Sequence, residues 1–220
     1  MRIAVIIPYK IDRGWLSEAI TSVERQTYPA DLIELIEVQS ENTVGHNLNK
    51  GIDQAKGCDL VRYLCEDDRL TANSIADTVA HFKANPDDDF IQSNAINFWH
   101  GTTRQDFYRP PKLAPTLKDL LELNTIHGGT VTYRLRCFDR LRFNPDLWTG
   151  EEYDFNMKLL SHGYKLGYLD ALTYQYRRHP LQKSLGNTAT EYQAKRAKEI
   201  QRIRNQFRHL RNKLPTYILR

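Results

Sequence analysis

The sequence predicts an α/β protein: a mostly parallel central sheet flanked by helices, followed by a basic helix at the C-terminus. Three observations carry this expectation. Short apolar, β-branched runs alternate with segments of helical period over residues 2–100. Pro8, Gly57 and Pro86 fall where those runs or helices should stop. From Glu191 to Arg220 nine Lys or Arg face two Glu, a net of +7 in a chain whose total is +4. Residues 1–190 therefore carry about −3, and the tail needs its own explanation.

The elements follow in order. "RIAVIIP" reads as a buried strand stopped by Pro8, and "WLSEAITSVERQ" as an amphipathic helix. "LIELIEVQS" is a second strand, and "VGHNLNKGIDQAKG" a helix ending near Gly57. "LVRYLCE" is a third strand, and "TANSIADTVAHFKANP" a helix with Thr71 as its expected N-cap. "DFIQSNAINFWH" is a fourth strand. The alternation then stops. "HGTTRQDFYRPPKLAP" reads as a loop, "TLKDLLELN" as a short helix, and "TIHGGTVTYRLRCF" as a strand opened by a Gly-Gly turn. "GEEYDFNMKLLSHG" is a helix with Phe155, Leu159 and Leu160 on one side, and "YKLGYLDALTYQYRRHP" is strand-like. "EYQAKRAKEIQRIRNQFRHLRNKL" reads as one long helix. Ile200, Ile203, Phe207, Leu210 and Leu214 form its apolar stripe.

Composition narrows the class. A chain of 220 residues suits one domain with a short appendage. No apolar run reaches the roughly 18 residues of a spanning helix. Cys58, Cys65 and Cys137 lie far apart without a CxxC spacing. That argues against a disulfide framework or zinc site and leads us to expect a reducing cytoplasm, with a peripheral membrane position as an option.

"YLCEDDRL" places Glu66, Asp67 and Asp68 at the carboxyl end of the third strand. Three adjacent carboxylates repel one another and resist leaving water. In parallel α/β sheets, ligands bind at the carboxyl ends of the strands. A hard divalent cation, Mg2+ or Mn2+, would remove the repulsion and could bridge to substrate phosphates. A solvated, helix-capping turn is the plain alternative.

At this point the residues resemble a family: the inverting GT-A fold glycosyltransferases of the family 2 type. Five segments match in order over residues 2 to about 185: "VIIPYK", "VGHNLNKGIDQAKG", "YLCEDDRL", "GEEYDFNMKLLSHGYKL" and "YRRHPLQKS". The resemblance implies a GT-A catalytic domain over residues 1–187, with a nucleotide-sugar half (1–100) and an acceptor and base half (101–187). Residues 188–220 would form the appended helix. It also implies a nucleotide-diphosphate sugar as donor, UDP-sugars leading, and a divalent metal. Pro8, Tyr9, Ser40, Glu41, Asn47, Asp67 and Arg178 would line the nucleotide-sugar site. Asp68, Glu66 and His179 would hold the metal, with Asp68 preferred and Asp67 nearer the ribose or sugar. Three departures stand out. "EVQSEN" replaces the acidic pair that usually holds the nucleobase, and Cys65 occupies the first position of the acidic motif. His46 stands where the family's helix motif has Arg.

The catalytic base falls on Glu152, with Glu151 and Asp154 as alternatives; each could instead stabilise the helix dipole. Gly128 and Gly129 permit close backbone approach to an acceptor, or simply make a tight turn. Trp148 could stack on a sugar or sit half-buried in the core. Arg177, Arg178 and Lys183 could meet phosphate. The acceptor would be a glycan, a lipid-linked sugar or another hydroxyl. The basic helix could pack on the domain, dimerise it, or meet an anionic membrane or nucleic acid. Two other functions compete: a nucleotidyltransferase of related fold, disfavoured by the single Gly in "PYKIDRGWL", and a degenerate GT-A-like binding module.

Overall fold

The computed structural model describes residues 1–182 and 190–210. Strand β1 (Ile3–Tyr9) leads through α1 (Leu16–Glu24) to β2 (Ile33–Gln39) and α2 (Val44–Gln54). Then come β3 (Leu60–Tyr63), the two-residue β4 (Arg69–Leu70), α3 (Ser74–Ala84) and β5 (Phe90–Trp99). Next are β6 (Gln105–Tyr108), α4 (Leu117–Glu122), β7 (Thr132–Arg134), α5 (Glu151–Ser161), β8 (Leu166–Arg178) and α6 (Thr190–Phe207).

One mixed sheet runs β2-β1-β3-β7-β5-β8-β4, with β6 added to β5. The pairings of β1 with β2, β1 with β3, and β5 with β8 are parallel. Those of β3 with β7, β5 with β7, β5 with β6 and β4 with β8 are antiparallel. The first half of the chain therefore supplies the parallel β2-β1-β3 arrangement that its alternation predicts. The second half closes the sheet with β7 and β8.

Strand β1 reads as an unbroken apolar run because both faces of the sheet are covered. Ile3, Val5 and Ile7 join one core with Ala19 and Val23 of α1 and Ile75 and Val79 of α3. Ala4 and Ile6 point the other way, into a core with Leu48 of α2, Leu120 of α4, Phe155 of α5 and Ile203 of α6. Side-chain alternation along one strand thus feeds two layers.

Several local expectations shift for identifiable reasons. Strand β3 stops at Tyr63, because the following residues turn to form the acidic loop. Thr71 does not cap α3, which starts at Ser74 after Asn73; its hydroxyl donates to the Leu172 carbonyl of β8 at 2.6 Å. The loop at 100–115 contains β6, a hairpin partner of β5. Of the strand expected over 125–138, only Thr132–Arg134 is extended, with 3-10 turns at Gly128–Thr130 and Leu135–Phe138. Among the described residues no helix is long and apolar enough to cross a membrane.

The basic helix α6 packs on the domain. Ile203 is fully buried and Phe207 nearly so, with Ile200 and Leu210 against the same core. Leu214 and Lys183 lie outside the described residues. Gly150, at φ +80°, starts α5, and a Cβ there would meet Ile200 Cδ1 at 2.9 Å and Ile203 Cδ1 at 3.1 Å. Arg204 Nε donates to Tyr153 Oη at 3.2 Å. Lys195, Arg196, Lys198, Arg202 and Arg208 remain exposed on the outer side. Ile203→Ala should therefore cost about 2–5 kcal/mol, the range for deleting a buried aliphatic side chain. A denaturant melt reads it directly. Unchanged stability, or an unchanged melting temperature when the chain is cut at Thr188, would contradict this packing.

Candidate active site

The carboxyl ends of β2, β1 and β3 lie side by side in the parallel part of the sheet, the ligand position of such sheets, and the candidate site is built there. Its first wall joins β1 to β2. The Ser40 N–H donates to the Tyr9 carbonyl at 3.1 Å, and the Ser40 hydroxyl donates to the side-chain oxygen of Asn47. Lys10 Nζ lies 2.7 Å from Glu41 Oε2. Pro8 is buried within β1, and the Tyr9 hydroxyl reaches Glu37 at 3.5 Å. Asn47 is buried and His46 exposed, so α2 presents the Asn, not the His, to this wall.

The second wall is the acidic turn after β3, closed by the Asp68 N–H on the Cys65 carbonyl at 3.1 Å. Asp68 is 1% exposed, and both of its oxygens are engaged by β8. Tyr174 Oη donates to Oδ2 at 2.6 Å and the Arg177 N–H to Oδ1 at 2.7 Å. Burial, and then the Asp67 charge, hold its pKa well above the usual carboxylate range against those two donors. Glu66 is paired with the Arg13 guanidinium, and burial pushes its carboxyl up to about 7. Asp67 retains some exposure, and its Oδ2 lies 2.9 Å from His179 Nε2.

Strand β8 holds this turn through a buried Arg. Arg177 Nε donates to the Asp67 carbonyl at 2.7 Å and Nη2 to Glu18 Oε2 at 2.6 Å. Its guanidinium lies 5.2 Å from the Trp15 ring centroid and 4.8 Å from that of Phe98. His179 packs on Trp15 at 4.2 Å, and its Nδ1 is buried with no hydrogen-bond partner among the described residues.

The residues fit a divalent cation in part. Ligand atoms of Cys65, Asp67 and Asp68 lie within 4.8 Å of one another. The Cys65 thiol is pushed well above its ordinary pKa by burial and by the carboxylates, so it stays neutral, and a neutral thiol suits a hard cation poorly. Asp68 is committed to β8. Asp67, with His179 and its orphaned ring nitrogen beside it, is the carboxylate with coordination to spare.

The third wall is the N-terminus of α5. Glu152 is half-buried, and its Oε1 accepts from Tyr63 Oη at 2.9 Å. Glu151 is buried at the first helical position. Asp154 is fully buried and paired across one turn with Lys158 Nζ at 2.6 Å. Among the three, Glu152 is therefore the carboxylate open to a ligand. Trp148 is half-buried, and the Lys195 ammonium sits 4.5 Å from its ring centroid, so α6 covers one face. Arg178 lies over Tyr176 at 5.2 Å and Trp99 at 5.9 Å.

Between the walls lies the Gly128–Gly129 turn. A Cβ on Gly128 would overlap Tyr63 Oη and crowd Glu152, and one on Gly129 would overlap the Tyr174 ring. Both glycines are required because two tyrosines fill the space. Each of those tyrosines donates to a site carboxylate: Tyr63 to Glu152 and Tyr174 to Asp68. Beneath them Arg62, fully buried, donates to the Gly129 carbonyl at 3.0 Å and to Ser74 Oγ at 2.6 Å. Sequence reading overlooked Tyr63, Tyr174, Arg62, Trp15 and Glu18. The one available signal was Arg62, a charge inside an otherwise buried strand.

No family model matches the chain, and no curated protein matches it in sequence. Solved structures do match its fold. Residues 1–349 of S. aureus TarS in complex with UDP-GlcNAc superpose with a TM-score of 0.66 at 18% identity, covering 81% of this chain and 59% of that one. The same TarS fragment with UDP gives 0.63 at 18% identity, covering 82% and 61%. GalNAc-T7 with UDP, GalNAc and Mn2+ gives 0.62 at 13% identity, covering 81% and 44%. The chain thus spans well under two thirds of the length of each. Its fold is the GT-A glycosyltransferase fold, as the ordered motifs led us to expect.

Two outcomes follow from this geometry. Gly129→Ala should force the Tyr174 ring aside and lower stability by about 1–3 kcal/mol, the usual cost of overpacking. A melting temperature equal to wild type would contradict it. His127, enclosed by Tyr108, Tyr174 and Tyr176 at 5.0–5.8 Å, has its pKa lowered by burial to about 4. A folded pKa below the unfolded value of about 6.5 makes the native state bind fewer protons. The His127 contribution is therefore present above pH 6.5 and lost as pH falls towards 4. Stability measured across that window should fall less steeply in His127→Gln, and equal slopes would sink the claim.

Proposed function

We propose that the chain is a nucleotide-sugar glycosyltransferase acting by direct, inverting displacement, with Glu152 as general base and Asp67 and His179 as the metal-holding pair. One observation carries this reading. The half-exposed Glu152 and the acidic turn flank the same Gly128–Gly129 turn: Tyr63, against Gly128, donates to Glu152, and Tyr174, against Gly129, donates to Asp68. A carboxylate base beside a cation-ready acidic turn, at the strand ends of a GT-A fold, is what transfer from a nucleotide diphosphate requires. The UDP, UDP-GlcNAc and Mn2+ named with the similar structures support a UDP-sugar donor and a divalent cation.

In this reading the nucleotide lies along the wall formed by Tyr9, Ser40, Glu41 and Asn47. Asp67 and His179 would hold a divalent cation, which would supply positive charge to neutralise the leaving diphosphate. Asp68 holds the turn in place: its carboxylate accepts from Tyr174 Oη and the Arg177 N–H and fixes the acidic turn against β8. Arg178 reaches towards phosphate. Glu152 accepts the proton of an acceptor hydroxyl as that oxygen attacks the anomeric carbon. The bond to the diphosphate breaks on the opposite side with its electron pair, so the configuration inverts and no covalent enzyme intermediate forms. Glu66 is withdrawn by Arg13, and Asp154 by Lys158. The metal in this reading falls to Asp67 in preference to Asp68, the residue the motif alone suggests, because both Asp68 oxygens already accept from β8.

The test is a panel of UDP-sugars with MnCl2, reading UDP release. Glu152→Gln should lower kcat by about 10²–10⁴-fold with donor KM retained. Asp67→Asn should abolish the Mn2+-dependent part of UDP affinity measured by calorimetry. A fully active Glu152→Gln variant would remove the base. Metal-dependent UDP affinity lost only in a still-folded Asp68→Asn variant would return the metal to Asp68.

A further inference from the structure

A glutamate general base has a practical weakness. Its carboxylate sits at the end of three rotatable bonds, and Glu152 is only half-buried. Unless something fixes it, it spends much of its time away from the attacking hydroxyl, and proximity is a large part of what catalysis supplies. The structure contains a fixing group. The Tyr63 hydroxyl, at the carboxyl end of β3, donates to Glu152 Oε1 at 2.9 Å. Tyr63 is 3% exposed, so its ring has no alternative rotamer to visit. Gly128 leaves it room: any Cβ there would overlap the Tyr63 oxygen and come within 3.0 Å of Glu152 Cγ and Oε1. The tyrosine is a donor throughout the working range, since burial first and the Glu152 charge second raise its pKa well above its ordinary value.

We propose that Tyr63 is a positioning residue for Glu152: it pins Oε1 and so presents Oε2 to the acceptor hydroxyl, with Gly128 serving to clear the space for that contact. This rests on Glu152 as the base. The bond reaches from the third strand of the nucleotide half to the first turn of α5, across 89 positions of sequence. It therefore ties the geometry of proton removal to the strand that also ends in the acidic turn. A merely structural bond would hold α5 to the sheet. A positioning bond does that and also sets the rate.

The two roles separate kinetically. Tyr63→Phe, in the full chain and with whichever nucleotide sugar of the panel is turned over, should keep donor KM near wild type and lower the melting temperature only slightly, as the loss of one hydrogen bond does. Its kcat should fall about ten- to a hundredfold, the scale of one hydrogen bond to a charged group. Because Tyr63 acts only through Glu152, the double variant Tyr63→Phe/Glu152→Gln should be no slower than Glu152→Gln alone. Gly128→Ala approaches the same bond from the other side and should also lower kcat. Wild-type kcat in Tyr63→Phe, or a double variant in which the two losses multiply, would overturn the proposal while leaving the base in place. Retained kcat in Glu152→Gln, or no turnover of any donor in the panel, would instead remove the base reading, and this inference with it.

Discussion

The site depends on one buried carboxylate. Asp68 is almost completely removed from water beside two other acids, an arrangement that costs several kcal/mol unless its oxygens are satisfied. Strand β8 satisfies them with the Tyr174 hydroxyl and the Arg177 N–H. Once Asp68 is seated, its neighbours have little freedom. Asp67 is turned towards His179, Glu66 towards Arg13, and the Asp67 carbonyl receives the Arg177 guanidinium. The puzzle of three consecutive acids resolves into three different partners.

The same constraint joins the two halves of the chain. Tyr174 can reach Asp68 only because Gly129 lacks a side chain, and Tyr63 can reach Glu152 only because Gly128 does. Adjacent residues of one short turn thus set the acidic turn and the Glu152 carboxylate together. Arg62 holds that turn from below through the Gly129 carbonyl. Its burial lowers its pKa to about 10, which leaves it charged at neutral pH. Behind α5, α6 covers Trp148 and fills the space beside Gly150. The appended helix is therefore part of the domain's core as well as a basic outer face.

Much of this was legible in the sequence. The alternation over residues 2–100 predicts the strands and helices of the first half, because each buries a periodic apolar face. The carboxyl end of the third strand marks the acidic turn, and the first turn of α5 marks Glu152. What the sequence left open depends on contacts distant along the chain. Whether Asp67 or Asp68 remains available is decided by Tyr174 and Arg177, more than 100 positions later. Gly128 and Gly129 read either as room for a ligand or as a tight turn; they form a turn, and the space beside them is filled by two tyrosines that periodicity assigns to ordinary buried strand positions. Residues 125–138 read as one strand because their β-branched and aromatic side chains are buried, yet a 3-10 turn serves that burial equally well.

The reading turns on where a cation sits relative to this turn. The most direct measurement is anomalous diffraction from a crystal of the full chain grown with UDP and MnCl2. An ion bonded to Asp67 and in contact with the UDP diphosphate, with Asp68 still accepting from Tyr174 and Arg177, is the expected result. An ion held by Asp68 with those two bonds broken, or UDP bound with no ion at the acidic turn, would contradict it.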